Sequence, residues 1–408
     1  MRPLSIAVVG CGTAGPAAAL HFARAGHAVD LYEKVAAPGP VGAGIVLQPI
    51  GQLALGRLGL WEEIQAKGAR IDGLRCSTAA GAPVVHIDYA DVHPALFGLG
   101  LHRGALFETL FAAVKAQPGI RLHLGVEGLD LRRKAGRRVM IDGTGQEHGP
   151  FDLIVVADGA HSQFRDDTPL TQTVRPYPYG ALWFITPEAN PQPRGMLRQV
   201  VEGTTRLAGL LPSGHAPKGG PRVVSLFWSL RADQREAFGR GDLDVWKQEL
   251  LRYFPDAGPI AAAITQPSDL LYSGYRDVVM RRWATEDVVY IGDSAHAMSP
   301  QLGQGANLAL VDADVLADCV AQGPTVAAAL DRYSRARRRH LDFYQFMTRW
   351  LTPFFQSDLR PLGPLRDLGL RLALQIPWVR RQMVETMVGM KQGLLRASMP
   401  LPLLPAPR

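Results

Sequence analysis

The chain has 408 residues, 47% hydrophobic and 20% charged, a balance that excludes a largely disordered protein. Its 43 glycines and 31 prolines follow no short repeat, which excludes collagen, and no apolar run reaches the ~18 residues of a membrane-crossing helix. The net charge of +7 is uneven: residues 331–408 hold 14 Lys and Arg against 5 Asp and Glu, so the basic character belongs to the C-terminal segment.

Residues 5–9 form a short β-rich run that ends at Gly10 and reads as a buried strand. The Ala- and Leu-rich residues 14–25 read as a helix, with Pro16 in its first turn and Gly26 closing it. Residues 28–33 read as a second strand, which completes a βαβ unit. Residues 38–44 form a Gly/Pro loop. Helical spacing follows over 53–67 and 106–114, and strands are expected at 121–124, 138–141 and 153–157.

After Thr171 the texture changes. Four extended stretches, 181–186, 196–202, 205–211 and 223–230, are separated by Gly/Pro clusters and predict an antiparallel sheet. A helix at 242–254, a buried strand at 288–291 and a helix at 307–320 return the chain to α/β texture. From Asp331 helices are expected to about residue 395, with Phe343, Phe346, Trp350 and Phe354 as one apolar stripe.

The expected fold class is therefore α/β. A discontinuous Rossmann-type nucleotide-binding domain (1–75, 100–170, 280–330) carries an inserted antiparallel-sheet substrate domain (76–99, 171–279) and a basic C-terminal helical segment (331–408). Cys11, Cys76 and Cys319 are odd in number and far apart, which argues against a disulfide framework or a zinc site and for a reducing, cytoplasmic setting. The apolar start resembles a signal peptide only superficially, because Gly10, Gly12 and Gly15 break it.

Those glycines carry the first motif, Gly10-Cys11-Gly12-Thr13-Ala14-Gly15, with Glu33 at the end of the next strand. Gly10 permits the turn, Gly12 lets backbone approach a pyrophosphate, and Gly15 lets helix and strand close. Glu33 is placed to accept hydrogen bonds from a ribose. A second motif, Asp158-Gly159-Ala160-His161-Ser162-Gln163-Phe164-Arg165, and a third, running from Gly292-Asp293 through Pro300 to Gly303-Gln304-Gly305-Ala306-Asn307, each follow a buried strand. Open α/β sheets bind ligands at such strand ends, and the helix starting near Ala306 offers a second anion-seeking N-terminus.

The three motifs together resemble the single-component FAD-dependent aromatic monooxygenases of the para-hydroxybenzoate hydroxylase fold. The third is most similar to the ubiquinone-biosynthesis hydroxylase branch. The resemblance spans roughly residues 1–320. It implies that Gly10, Gly12, Thr13, Ala14 and Gly15 hold the FAD pyrophosphate, and Glu33 with Lys34 the adenosine ribose. Gly44 and Ile45 would run beside the flavin ring, and Arg103 would reach the phosphate or ribose region. Asp158 would support the FAD region and the donor's approach, and Asp293 would bind the ribitol or pyrophosphate. Pro300, Gly303, Gly305, Ala306 and Asn307 would line the ring. The implied reaction is reduction of FAD by NADH or NADPH, addition of O2 at C4a, and transfer of one oxygen to an aromatic or other electron-rich small molecule. No nucleic-acid partner and no metal are implied, and no catalytic residue is assigned.

Two other readings stand beside this one. A flavin-dependent halogenase would carry a Trp-x-Trp-x-Ile-Pro segment, which Trp183-Phe184-Ile185-Thr186 is not; an oxidase or reductase of an isoprenoid or polyketide remains. A non-catalytic, membrane-docking flavin binder would use the basic segment, but it need not keep three intact motifs. For that segment, peripheral contact with lipid competes with packing against the FAD domain over the substrate pocket. His296 reads as structural more readily than as a base, and Arg165 as a loop anchor more readily than as a contact for an anionic nicotinamide donor. Tyr272, Tyr275 and Arg276 are candidates for the substrate face, with core tyrosines and a surface arginine the competing reading.

Overall fold

The computed structural model describes residues 2–40, 42–166, 170–189 and 195–394. The expected end of the helical segment, 395–408, lies outside the described residues.

The first βαβ unit forms as its sequence predicts. Ser5–Val9 and Ala28–Glu33 lie in a five-stranded parallel sheet in the order Val288–Tyr290, Leu153–Val156, Ser5–Val9, Ala28–Glu33, Ile120–Leu124. Its central strands are apolar runs without alternation because both faces are covered. Strand Ser5–Val9 has its successor on one side and the much later Leu153–Val156 on the other, so the chain changes direction at its carboxyl end. A crevice opens at such a switch point, and Gly10 sits there. Helix Ala14–Arg24 buries Leu20 and Phe22 completely, each worth about 1.5–3 kcal/mol. Its small alanines let it approach helix Gly305–Gln322.

The helix expected over 53–67 is two helices, Pro49–Arg57 and Trp61–Lys67. Gly59, at φ 62°, breaks the apolar periodicity that spans both. A meander of Gly128–Lys134, Arg137–Asp142 and Glu147–Phe151 contributes Met140 and Phe151 to the main core. Only its middle strand was legible, because the outer two are largely polar.

The expected antiparallel sheet is larger than four strands. Its order is Leu271–Met280, Thr171–Pro187, Arg222–Arg231, Arg206–His215, Gly195–Glu202, Ala69–Thr78, Gly98–His102, Gly44–Leu47, with Pro83–Asp88 paired to Ala69–Thr78. One pairing, Gly195–Glu202 with Ala69–Thr78, is parallel. Gly44–Leu47 and Gly98–His102 are short and glycine-bearing, so neither announces itself as a strand. The sheet therefore draws on segments the sequence groups with the nucleotide-binding part.

The pleat sorts its side chains. Leu226, Trp228 and Leu230 point to one face and meet Trp246 and Leu250 of helix Leu243–Tyr253. Phe227, Leu207 and Leu211 point to the other and meet Val384 and Val388 of helix Pro377–Val388. The expected stripe on helix Val326–Phe355 is split. Phe343 is buried, whereas Phe346 and Trp350 are 51% and 52% exposed. Beside Leu330, Leu341 and Phe343, the buried side carries Tyr333, Arg337, His340, Tyr344, Thr348 and Thr352. Their spacing of three to four is as regular as that of the aromatics, and hydropathy alone cannot see it.

Candidate functional site

The three motifs converge on the crevice at Gly10. A Cβ on Gly10 would lie 2.4 Å from the Ala157 carbonyl oxygen, which precedes Asp158 of the second motif. A Cβ on Gly15 would lie 1.8 Å from the Gly10 carbonyl oxygen. Gly12 is exposed, and a Cβ there would meet nothing within 4 Å. The third motif closes on the same helix, since a Cβ on Gly292 would come within 3.2 Å of the Ala14 Cβ. Arg165, fully buried, ties the second motif to the third by donating to the Ser294 carbonyl (3.0 Å) and the Ala160 carbonyl (2.9 Å). Its anchoring role is the one the sequence favours.

Helix Ala14–Arg24 begins at Thr13 with no side-chain cap, and helix Gly305–Gln322 begins at Gln304 likewise. Uncapped first-turn N–H groups face the crevice, where the helix dipoles favour negative charge. Glu33 accepts from the Cys11 N–H and the Val35 N–H, both at 2.9 Å, and so shapes the glycine loop from the end of the second strand. Lys34 is exposed, 4.0 Å from Glu127. Asp158 Oδ1 is buried without a hydrogen-bond partner among the described residues, and burial pushes its carboxyl up to about 6. An orphaned carboxylate oxygen beside an open glycine loop fits a ligand that brings hydroxyls. These features fit a flavin dinucleotide.

Asp293 is exposed at the start of the turn Asp293–His296, its Oδ1 3.8 Å from a Cβ built on Gly305. Pro300 and Gly303 are also exposed, and Gly305 and Ala306 half-buried. Asn307 differs in being fully buried, with its amide spent on the protein. Its Oδ1 accepts from the Gln48 N–H (2.8 Å), and its Nδ2 donates to the carbonyls of Val46 (3.1 Å) and Gly303 (3.0 Å). Its side chain thus positions strand Gly44–Leu47, and only its backbone remains for a ligand. Asn307→Asp keeps the acceptor and sets a carboxylate against two carbonyls. It is expected to cost about 2–4 kcal/mol in thermal unfolding, and an unchanged Tm would contradict this assignment.

Gly44 and Ile45 begin that strand. A Cβ on Gly44 would stand 2.3 Å from Ser213 Oγ and 2.5 Å from Ser225 Oγ, so the large sheet abuts it directly. Arg103 is exposed at the first turn of helix Arg103–Ala116, its aliphatic stem 2.9 Å from a Cβ built on Gly42. His296 is not placed as a base. It is buried, with Nε2 2.6 Å from Asp312 Oδ2. Asp312 also accepts from the Gly292 N–H (2.9 Å) and Arg337 Nε (2.7 Å), and Arg337 continues to His340. Asp312, Arg337 and His340 have a faint sequence signal, aspartates at 312, 314 and 318 inside a largely apolar helix.

Tyr272 and Tyr275 are three residues apart on one strand and so point to opposite faces. Tyr272 lies under Arg235 among the residues around Trp246, away from Gly44, which corrects its candidacy for the substrate face. Tyr275 lies on the Gly44 side near Trp183. Its hydroxyl and that of Tyr177 are buried without partners among the described residues, and burial pushes both phenols up to about 12. Tyr177, Trp183 and Phe227 were not singled out for this face, because a single sequence does not reveal which way a strand turns.

Three comparisons with known proteins bear on this site. The family described as FAD binding domain matches residues 4–343. The chain is 30% identical over 360 residues to kynurenine 3-monooxygenase of Salinispora arenicola (strain CNS-205), covering 83% of this chain and 77% of that one. It is 30% identical over 341 residues to 3-amino-4-hydroxybenzoate 2-monooxygenase of Streptomyces cremeus, covering 79% and 80%. The crystal structure of Klebsiella pneumoniae HpxO complexed with FAD and uric acid is alike in fold, with a TM-score of 0.76 at 20% identity over 95% of this chain and 97% of that one.

Proposed function

The chain belongs to the FAD binding domain family, and we propose that its three convergent loops hold FAD at the carboxyl end of the parallel sheet. It is an FAD-dependent aromatic monooxygenase, an oxidoreductase of a group whose usual electron donor is NAD(P)H. Bound FAD supplies the oxygen-activating chemistry, which no side chain can. Gly10, Gly12, Thr13, Ala14 and Gly15 receive the pyrophosphate, and Glu33, with Lys34 beside it, the adenosine ribose. Arg103 adds a cation on the phosphate or ribose side. Asp158 and Asp293 accept hydroxyls of the cofactor. Gly44 and Ile45 flank the ring, and Pro300, Gly303, Gly305 and Ala306 line it with the backbone of Asn307. The N-terminus of helix Gly305–Gln322 favours negative charge on the ring. The parallel-sheet part (within 1–75, 100–170 and 280–330) serves the cofactor, and the insert (76–99, 171–279) serves the substrate, its sheet completed by Gly44–Leu47, Ala69–Thr78 and Gly98–His102. Tyr275 and Tyr177 donate to a polar substituent of that substrate.

The observation that carries this reading is the meeting of all three motifs around Gly10 and Gly292. The test is oxidation of NADH or NADPH by FAD-loaded protein, with and without a panel of phenols, under 18O2. Phenol-stimulated oxidation with one labelled oxygen in the product is expected. Flavin reduction without label in any product would favour an oxidase or reductase.

The C-terminal helices support a second proposal, peripheral contact with anionic lipid. No helix among the described residues is long and apolar enough to cross a membrane. Yet Leu365, Leu368, Leu372 and Trp378, on helices Leu362–Ala373 and Pro377–Val388, are 54–60% exposed within a basic segment. Wild-type protein is expected to float with anionic liposomes, and Leu368→Glu/Leu372→Glu to lose most of that binding. Equal flotation of the two proteins sinks the proposal.

A further inference from the structure

We propose, resting on the monooxygenase reading, that the substrate is an uncharged aromatic bearing an apolar chain rather than an aromatic carboxylate. The site is the side of the large sheet that abuts Gly44. Strand alternation puts Ser225 and Phe227 there, with Leu211 and Ser213 from the neighbouring strand. Trp183 lies across from Phe227, ring centroids 5.5 Å apart, and Tyr275 is close by. Trp183, Phe227, Tyr275 and Val46 stay half-buried although they lie inside the fold. Opposite them, helix Pro377–Val388 presents Met383 and Met387, half-buried against the same cluster. That helix is held to the cofactor side by Gln304, whose Nε2 donates to the Met387 carbonyl at 2.7 Å.

What this crevice lacks decides the charge of its ligand. Among the described residues, the three cations packed around it each already face a carboxylate. Arg349 is 2.9 Å from Asp277, Arg366 binds Asp367 and the carbonyls of Gly203 and Phe354, and Lys391 binds Glu385 and Gln382. Among the described residues, the groups left over there are the Tyr177 and Tyr275 hydroxyls, neutral donors at ordinary pH, and Nη2 of Arg349, whose charge Asp277 already balances. Two phenols orient a hydroxyl or carbonyl on a ring, but they do not neutralise a carboxylate, which must lose its water to enter. The methionines add a flexible, polarisable wall that adapts to an alkyl chain.

The test uses FAD-loaded, full-length protein and three matched probes: 3-methylphenol, 3-pentylphenol and 3-hydroxybenzoate. Perturbation of the flavin spectrum gives each Kd, and hydroxylated product is measured separately. Each buried methylene is worth about fourfold in affinity, so 3-pentylphenol is expected to bind at least roughly thirtyfold more tightly than 3-methylphenol. It should exceed 3-hydroxybenzoate by a larger factor. Met383→Ala/Met387→Ala should shrink the pentyl-to-methyl affinity ratio several-fold. A Kd for 3-hydroxybenzoate at or below that for 3-pentylphenol overturns the inference, as does a flat response to 3-pentylphenol. Either result leaves the monooxygenase reading standing if any probe is hydroxylated. Tight 3-pentylphenol binding with no hydroxylated product from any probe counts against the monooxygenase reading and leaves the ligand preference in place.

Discussion

Gly15→Val is expected to purify without flavin. Even one added carbon at residue 15 would lie 1.8 Å from the Gly10 carbonyl oxygen, about half the distance of an ordinary contact. That oxygen is backbone, pinned because the Gly10 N–H donates to the Tyr32 carbonyl at 2.8 Å. Neither side can yield by a rotamer change, so helix Ala14–Arg24 must move off its strand. The N–H groups at its start move with it, away from the place where a pyrophosphate would lie. Overpacking of this kind costs about 1–3 kcal/mol in stability. With the N–H groups misplaced, FAD affinity is expected to fall roughly a hundredfold or more. The ratio of absorbance at 450 and 280 nm and a fluorescence titration with FAD measure it. Gly12→Ala is the contrasting variant. Its added methyl meets no protein atom within 4 Å, so its Tm without flavin is expected to match wild type while FAD binds more weakly. A Gly15→Val protein that holds FAD with wild-type affinity would remove the glycine loop from the site.

Asp312→Asn is expected to have the largest effect away from the crevice. Asp312 is fully buried and joins His296 of the third motif to Arg337 on helix Val326–Phe355. From Arg337 the chain of contacts runs to His340, whose Nε2 is 2.7 Å from the Gly389 carbonyl just beyond helix Pro377–Val388. The amide retains the shape and removes the negative charge, leaving the Arg337 guanidinium buried and uncompensated. Breaking a buried pair from one side costs about 3–5 kcal/mol, which in a chain of this size lowers Tm by roughly 4–6 °C. Burial pushes the Asp312 carboxyl up, but His296 and Arg337 outweigh it and hold the group well below the usual carboxylate range. A depressed folded pKa means stability that is present above the unfolded value, near 4, and lost as pH falls below it. The gap in Tm between wild type and Asp312→Asn should therefore be full from pH 5 to 8 and narrow only in stronger acid. A constant gap down to pH 3 would show that the charge of Asp312 is not what stabilises the network.

The glycine loop, Glu33 and the two later motifs were legible because each is local. A φ of 104° at Gly10, a strand before and a helix after are short-range requirements, and residue identity records them. The same holds for the cap of helix Leu243–Tyr253, where Asp242 accepts from two backbone N–H groups. The break at Gly59 was local too, but the apolar spacing on both sides concealed it. Asn307 illustrates the limit. Its place in the third motif was evident, yet its task, holding Gln48 and Val46, joins residues 259 and 261 apart.

Sequence alone therefore determined the parallel nucleotide-binding core, the cofactor class and the presence of an antiparallel insertion, because backbone conformation and hydrophobic periodicity are short-range properties. Tertiary structure decided which face each strand turns toward the cofactor. It separated Tyr275 from Tyr272, gave the crevice its Trp183, Phe227 and methionine walls, and turned Phe346 and Trp350 outward. It also placed Arg337 and His340 on the buried side of helix Val326–Phe355, because a partner such as Asp312 makes Arg337 an interior residue. Burial of a charge depends on what stands opposite it in space, and along this chain that partner is 25 residues away.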